Sequence, residues 1–279
     1  MRKYCLSLLL LFLTLVSNAV EPPKREIRGV WLTTVYGLDW PHNPATTETG
    51  RKAQQRDVCD ILDRLQDANF NTVFLQVRMR GDVIWRSAIE PASKTFSGKY
   101  GMMPGYDPLA FVVDECHKRG MECHAWFVTF PLGTDKSVKE QGKLSVVRRQ
   151  PKLCKRHNGE WYLDPGVPET ADYILSLVKE IVNGYDIDGI HFDYIRYPEQ
   201  AKSFPDKNLY NKYGKKRPLA EWRRENINKM VYRIYDWVKS VKPWIQVSSS
   251  PLGKYNRIER VPNAGWTAYE SVFQDPKMG

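Results

Sequence analysis

The chain predicts an α/β fold of the TIM-type (β/α)8 barrel class, of which about the first five β/α units are present. Two observations predict it. First, five segments rich in β-branched and aromatic residues alternate with four helical patterns, each helix between two strands; such crossovers require parallel strands. No Gly-rich fingerprint follows the first strand, so a dinucleotide-binding sheet lacks its main signal. Second, the stretch Asp188-Gly-Ile-His-Phe-Asp-Tyr-Ile-Arg-Tyr-Pro198 reads as a strand with His191 and Asp193 on one face and Ile190 and Phe192 on the other. Barrel walls are built this way, with the chemistry at the carboxyl end.

The elements run in order along the chain. Glu26 to Val35 is the first strand. Arg51 to Asn69 is a helix with Val58, Ile61, Leu62 and Leu65 at helical spacing. Thr72 to Arg78 is the second strand. Asp107 caps a helix that has Pro108 at its first position, runs to Lys118 and stops at Gly120. Glu122 to Val128 is the third strand, and a charged stretch from Thr129 to Gly166 reads as irregular. Pro168 to Asn183 is a helix, and the fourth strand runs from Gly189 to Ile195. After a basic, aromatic insertion, Glu221 to Val241 is a helix with Ile227, Met230, Ile234 and Val238 inward. Trp244 to Ser250 is the fifth strand. About thirty residues remain, too few for three more units of a typical barrel. The sequence therefore reads as a C-terminally truncated barrel, with a complete five-stranded open sheet as the alternative.

Residues 1–19 read as a secretory signal peptide: basic Arg2 and Lys3, an apolar run from Leu6 to Val16, then small Ser17 and Ala19. The run is short for a transmembrane helix. The expectation is an exported protein, periplasmic or extracellular, with no integral membrane segment after signal removal, and residues 20–279 as one partial barrel domain. The net charge of +10 falls to +8 once Arg2 and Lys3 leave. Basic clusters at Lys215-Lys216-Arg217 and Arg223-Arg224 read as solvated surface, with an anionic polymer as the alternative. No nucleic-acid motif is present. Cys59, Cys116, Cys123 and Cys154 match no zinc spacing; they read as free thiols, with one bridge left open.

Parallel strands share one carboxyl face. There the sequence offers Trp31 and Thr33, then Gln76 and Arg78, His124 and Trp126, His191 and Asp193 with Arg196 and Tyr197 beyond, and Ser248 and Ser250. The set suits a sugar. Tryptophans stack on pyranose faces, polar groups bond hydroxyls, N-acetyl groups or a carboxylate, and Asp193 is a candidate acid or nucleophile. Glycosidases normally use two carboxyl groups, and Asp39, Asp82, Asp164 and Glu270 are loop candidates for the second. Other readings stay open. His191 and Asp193 could form a hydrogen-bonded pair holding a loop, Trp31 and Trp126 could pack in the core, and Arg78 could bridge to Asp193. His124, His191 and Asp193 could instead hold zinc, although no short His-x-x-x-His spacing pre-organises a site. No cofactor is called for.

At Glu26–Thr34, Asn71–Arg78, Tyr106–Leu109, Tyr162–Gly166, the Asp188–Pro198 stretch and Trp244–Pro251, the chain resembles the glycosyl-hydrolase-like family 10 of exported bacterial proteins. The resemblance implies a (β/α)8 barrel that hydrolyses glycosidic bonds, and some relatives act on peptidoglycan glycan strands. It implies Asp193 as a catalytic candidate, and Arg78, His124, His191 and Arg196 as residues lining the subsite. Similar proteins continue past Gln274-Asp275-Pro276 into three further β/α units. The expected activity is therefore glycoside hydrolysis, with a non-catalytic carbohydrate-binding remnant as the alternative.

Overall fold

A computed structural model describes residues 26–258, 260 and 265–277; the segment expected to be a signal peptide, residues 1–19, lies outside them. Eight strands are described: β1 (Gly29–Leu32), β2 (Thr72–Arg78), β3 (Glu122–Val128), β4 (Pro131–Thr134), β5 (Cys154–His157), β6 (Glu160–Leu163), β7 (Gly189–Asp193) and β8 (Gln246–Ser249). Strands β1, β2, β3, β7 and β8 form one sheet in that order, every pairing parallel. The principal helices are α1 (Glu48–Asp67), α2 (Pro108–Lys118), α3 (Pro168–Gly184) and α4 (Leu219–Val241).

Local chemistry sets the helix ends. Thr47 accepts from Gly50 N–H at the start of α1, and Asp107 accepts from Ala110 N–H at the start of α2, with Pro108 inside the first turn. Gly120, at φ 68°, ends the α2 turn. Val58 and Leu62 of α1, Ile174, Leu177, Val178 and Ile181 of α3, and Ile227, Met230, Ile234 and Val238 of α4 are buried. They join a core with the alternate residues Val73, Leu75, Val77, Cys123, Ala125, Phe127, Ile190 and Phe192 of the sheet. The other face of the sheet carries the polar and aromatic residues.

The stretch from Thr129 to Gly166 is not irregular. It holds a second, antiparallel sheet in the order β4-β6-β5. Asn158 and Gly159, both at positive φ (50° and 85°), make the two-residue turn between β5 and β6. This small sheet stands over the carboxyl end of β3.

Two arginines are buried with their counter-ions. Arg78 is fully buried and donates to both oxygens of Glu90 (2.7 and 2.7 Å), to the Thr129 carbonyl (2.8 Å) and to the Val128 carbonyl. Tyr173 Oη on α3 donates to the same carboxylate at 2.8 Å. Arg223, expected on the surface, is 1% exposed; it pairs with Asp206 at 2.7 Å and donates to the Ala201 carbonyl. All four described cysteines are free thiols. Among the described residues no helix is long and apolar enough to cross a membrane.

Removing one partner of a buried pair leaves an uncompensated charge. Glu90→Ala is expected to lower the unfolding free energy by about 3–5 kcal/mol, read from urea denaturation. The double change Arg78→Met with Glu90→Leu should lose much less. A single variant as stable as wild type would refute this account of the clamp.

Candidate active site

A cleft of about 600 Å³ opens over the carboxyl ends of β2, β3 and β7, walled on one side by β6 and the turn before it. Asp193, at the end of β7, sits among donors. Tyr194 N–H and Ser250 Oγ donate to its Oδ1 (2.7 and 3.0 Å), and Trp126 Nε1 donates to Oδ2 (3.2 Å). Its backbone carbonyl accepts from the N–H and the hydroxyl of Thr129, each at 2.9 Å. The chain then turns left-handed at Tyr194, φ 49°, a conformation uncommon for a residue with a Cβ.

Of the expected residues, Gln76, Trp126, Asp193 and Arg196 line this cleft, and Ser250 bonds Asp193 directly. Gln76 is 5% exposed, and its oxygen accepts from Thr33 Oγ1 (2.7 Å), Thr34 N–H (3.0 Å) and Val35 N–H (2.8 Å). Its amide nitrogen is what remains for a ligand.

Trp31, His124 and His191 lie one layer lower on the same face. Trp31 stacks on Phe74 (centroids 4.5 Å apart, planes 13° apart), and Phe74 meets His124 and His191 edge-on. Trp31 is half exposed but lines a separate shallow groove with Asp39 and His42. His124 fits only because its neighbour is glycine: a Cβ at Gly189 would lie 2.4 Å from His124 Nδ1. His191 Nδ1 meets Ser248 Oγ at 2.9 Å, and no hydrogen bond joins it to Asp193 among the described residues.

Two expected contacts are corrected. Arg78 does not reach the cleft, nor does it bridge to Asp193. The register between β2 and β3 slips after Gln76, so Gln76 faces Trp126 but Arg78 faces Phe127, and the guanidinium is consumed by Glu90. A one-residue bulge reverses the face of the residues beyond it. Tyr197 is fully buried between Phe204 and Phe273, because the turn at Tyr194 ends the period of two. The zinc arrangement also fails geometrically. His124 Nε2 meets Glu122 (3.1 Å) and His191 meets Ser248, and no group of three or more potential ligands converges among the described residues.

The second carboxylate expected in the loops is also placed elsewhere. Asp39 accepts from Thr33 N–H, Asp82 is buried and accepts from Arg80 N–H, and Glu270 opens a short helical turn. Asp164 is fully buried, accepts from Gly166 N–H, and is pushed up to about 6 by burial. None of the four lines the cleft; Glu160 and Glu199 do. Glu160 accepts from Tyr162 Oη at 2.9 Å and lies 4.0 Å from Arg80. His157, Asn158, Tyr162, Arg80 and Tyr194 also line the cleft. The missed signal was the Asn158-Gly159 pair, a strong hairpin marker that places Glu160 at the start of a strand.

Fold and site define an α/β protein whose polar, aromatic-lined cleft lies over the carboxyl ends of a parallel sheet and contains several carboxylates. The chain belongs to the Glycosyl hydrolase-like 10 family, whose profile matches residues 26–278. It is 36% identical over 276 residues to glycosyl hydrolase DigH of Escherichia coli K12, an alignment covering 92% of this chain and 63% of that protein. It is 33% identical over 265 residues to glycosyl hydrolase YngK of Bacillus subtilis, covering 91% and 51%. The chain thus spans between half and two thirds of these relatives' length. Among solved structures, α-L-fucosidase isoenzyme 2 of Paenibacillus thiaminolyticus shares the fold with a TM-score of 0.57 at 16% identity, over 84% of this chain and 34% of that one.

Burial pushes the pKa of His191 from 6.5 down to about 4; the nearby Asp193 opposes this and His124 reinforces it. The unfolded chain therefore binds a proton that the folded chain refuses between those two values. The His191 contribution to stability is complete above pH 6.5 and is lost as pH falls toward 4. Denaturation midpoints measured across this range should fall with acidification, and less steeply in His191→Asn. Identical slopes in both proteins would refute the assignment.

Proposed function

We propose that the protein is a glycoside hydrolase in which Asp193 and Glu160 act across the cleft. The observation that carries this reading is Asp193 itself, held by three donors at the floor of a cleft that a second carboxylate also lines. All three neighbours donate, so Asp193 stands as an acceptor whose position is fixed before a substrate arrives. Cleavage of a glycosidic bond builds positive charge at the anomeric carbon, and a pre-positioned carboxylate stabilises it or attacks it. The leaving oxygen takes a proton from Glu160, and a water molecule then adds its oxygen to the anomeric carbon and returns a proton to Glu160. Trp126, beside Asp193, offers an apolar edge to a pyranose, and Gln76 and Arg196 offer donors to its substituents. The cleft volume lies within the range of small-ligand sites.

The wider reading is an exported enzyme acting on O-glycosidic bonds of a bacterial cell-wall or related glycan. The apolar run Leu6–Val16 and the family resemblance support it. On this reading residues 20–279 form five units of a (β/α)8 barrel. The sequential order of the parallel strands, each crossover carrying a helix, supports that architecture.

The test is release of soluble sugars from peptide-free glycan strands, followed by mass spectrometry. Asp193→Asn is expected to lower turnover by about 10²–10⁴-fold, and Glu160→Gln by about 10²-fold or more. Unchanged turnover in Asp193→Asn would remove it from the mechanism. Binding of glycan by the unaltered protein without released products would make the domain a carbohydrate-binding module.

A further inference from the structure

The arginines near Asp193 differ in what they are free to do. Arg78 is saturated by Glu90 and two carbonyls. Arg80 donates to Tyr36 Oη at 2.8 Å and faces Glu160 at 4.0 Å. Arg196 is half-buried in the cleft wall and makes no ion pair among the described residues. Its guanidinium donates to the Tyr197 carbonyl across a long 3.5 Å. A guanidinium carries five N–H donors in one plane.

Aromatic rings hold it in place. The Arg196 guanidinium carbon lies 4.7 Å from the centroid of Tyr194 and 4.9 Å from that of Trp266. Both rings are more than 40% exposed. Aromatic contact of this kind leaves the edge donors of a guanidinium available, and here only the long bond to the Tyr197 carbonyl draws on one of them among the described residues. The backbone contributes as well, since a left-handed, locally strained residue places the Tyr194 ring. Desolvation disfavours the charge, while Asp193 and Glu199 act on it only at longer range. A pre-oriented planar cation with most of its edge donors open, facing into a cleft, matches a planar anion that can accept two parallel hydrogen bonds.

We propose that Arg196 is a specificity-determining residue that selects glycans whose pyranose units carry a carboxylate. This rests on the glycosidase reading above. The carboxylate could belong to a lactyl ether or to a uronate, and the chemistry recognised is the same.

The experiment compares peptide-free cell-wall glycan strands, which bear lactyl carboxylates, and a polyuronate, each intact and after chemical reduction of its carboxyl groups. Wild type is expected to favour at least one intact polymer over its reduced form by about tenfold in kcat/KM, mostly through KM. The polymer that shows the preference identifies the source. Arg196→Gln should collapse that ratio toward one. Arg196→Lys, which keeps the charge but not the planar fork, should retain an intermediate ratio and guards against loss of folding. A wild type indifferent to reduction, or a ratio unaltered in Arg196→Gln, overturns the proposal. If neither polymer is cleaved, the same ratios are taken from calorimetric binding. Preference for the intact form then upholds Arg196 while removing the hydrolase reading; equal binding overturns Arg196 alone; no binding overturns both.

Discussion

Asp193 is fastened at both of its carbonyl groups, and the geometry of the cleft depends on that double attachment. Its backbone oxygen takes two bonds from Thr129, which ties the end of β7 to the end of β3. Its carboxylate takes bonds from Trp126 on β3 and from Ser250 just beyond β8. Three neighbouring strand ends therefore meet at one residue. Its third donor, the N–H of Tyr194, belongs to the turn that redirects the chain. Parallel strands make this possible, because they bring every carboxyl end to the same side.

The layer beneath is aromatic. Trp31, Phe74, His124 and His191 pack against one another, and Gly189 gives His124 its room. Two histidine nitrogens, His124 Nδ1 and His191 Nε2, have no partner there. Burial holds the pKa of His191 down to about 4, so this side chain supports the cleft floor without placing a positive charge below Asp193. The charge near Asp193 comes from the cleft walls, which carry Arg80, Arg196, Glu160 and Glu199.

The sequence made the sheet order and the principal helices readable, because their signals are local. Asp107-Pro108 and Gly120 mark one helix at both ends, and alternation marks β2, β3 and β7. Asp193, Trp126, Gln76 and Arg196 were readable as cleft residues for the same reason. Two of the failures come from backbone geometry that the residue pattern does not carry. A bulge after Gln76 sends Arg78 to Glu90, a partner twelve residues away in a loop without a pattern. The left-handed Tyr194 carries Tyr197 into the core. Strands β5 and β6 read Cys-Lys-Arg-His and Glu-Trp-Tyr-Leu, a weak alternation that masked the local turn signal of Asn158-Gly159, so Glu160 stayed hidden behind its turn.

Gln76 does more than fasten the exit of β1. Its carbonyl oxygen takes three hydrogen bonds, each of which draws electron density across the conjugated amide. The nitrogen at the other end is left poorer in charge, and its hydrogens become more acidic donors than those of a glutamine whose oxygen has no partner. The same three bonds fix the amide orientation, which removes the ambiguity of an amide flip. The Thr33 hydroxyl and the backbone N–H groups of Thr34 and Val35 thus act as a polarising circuit, wired through one side chain to a donor in the cleft.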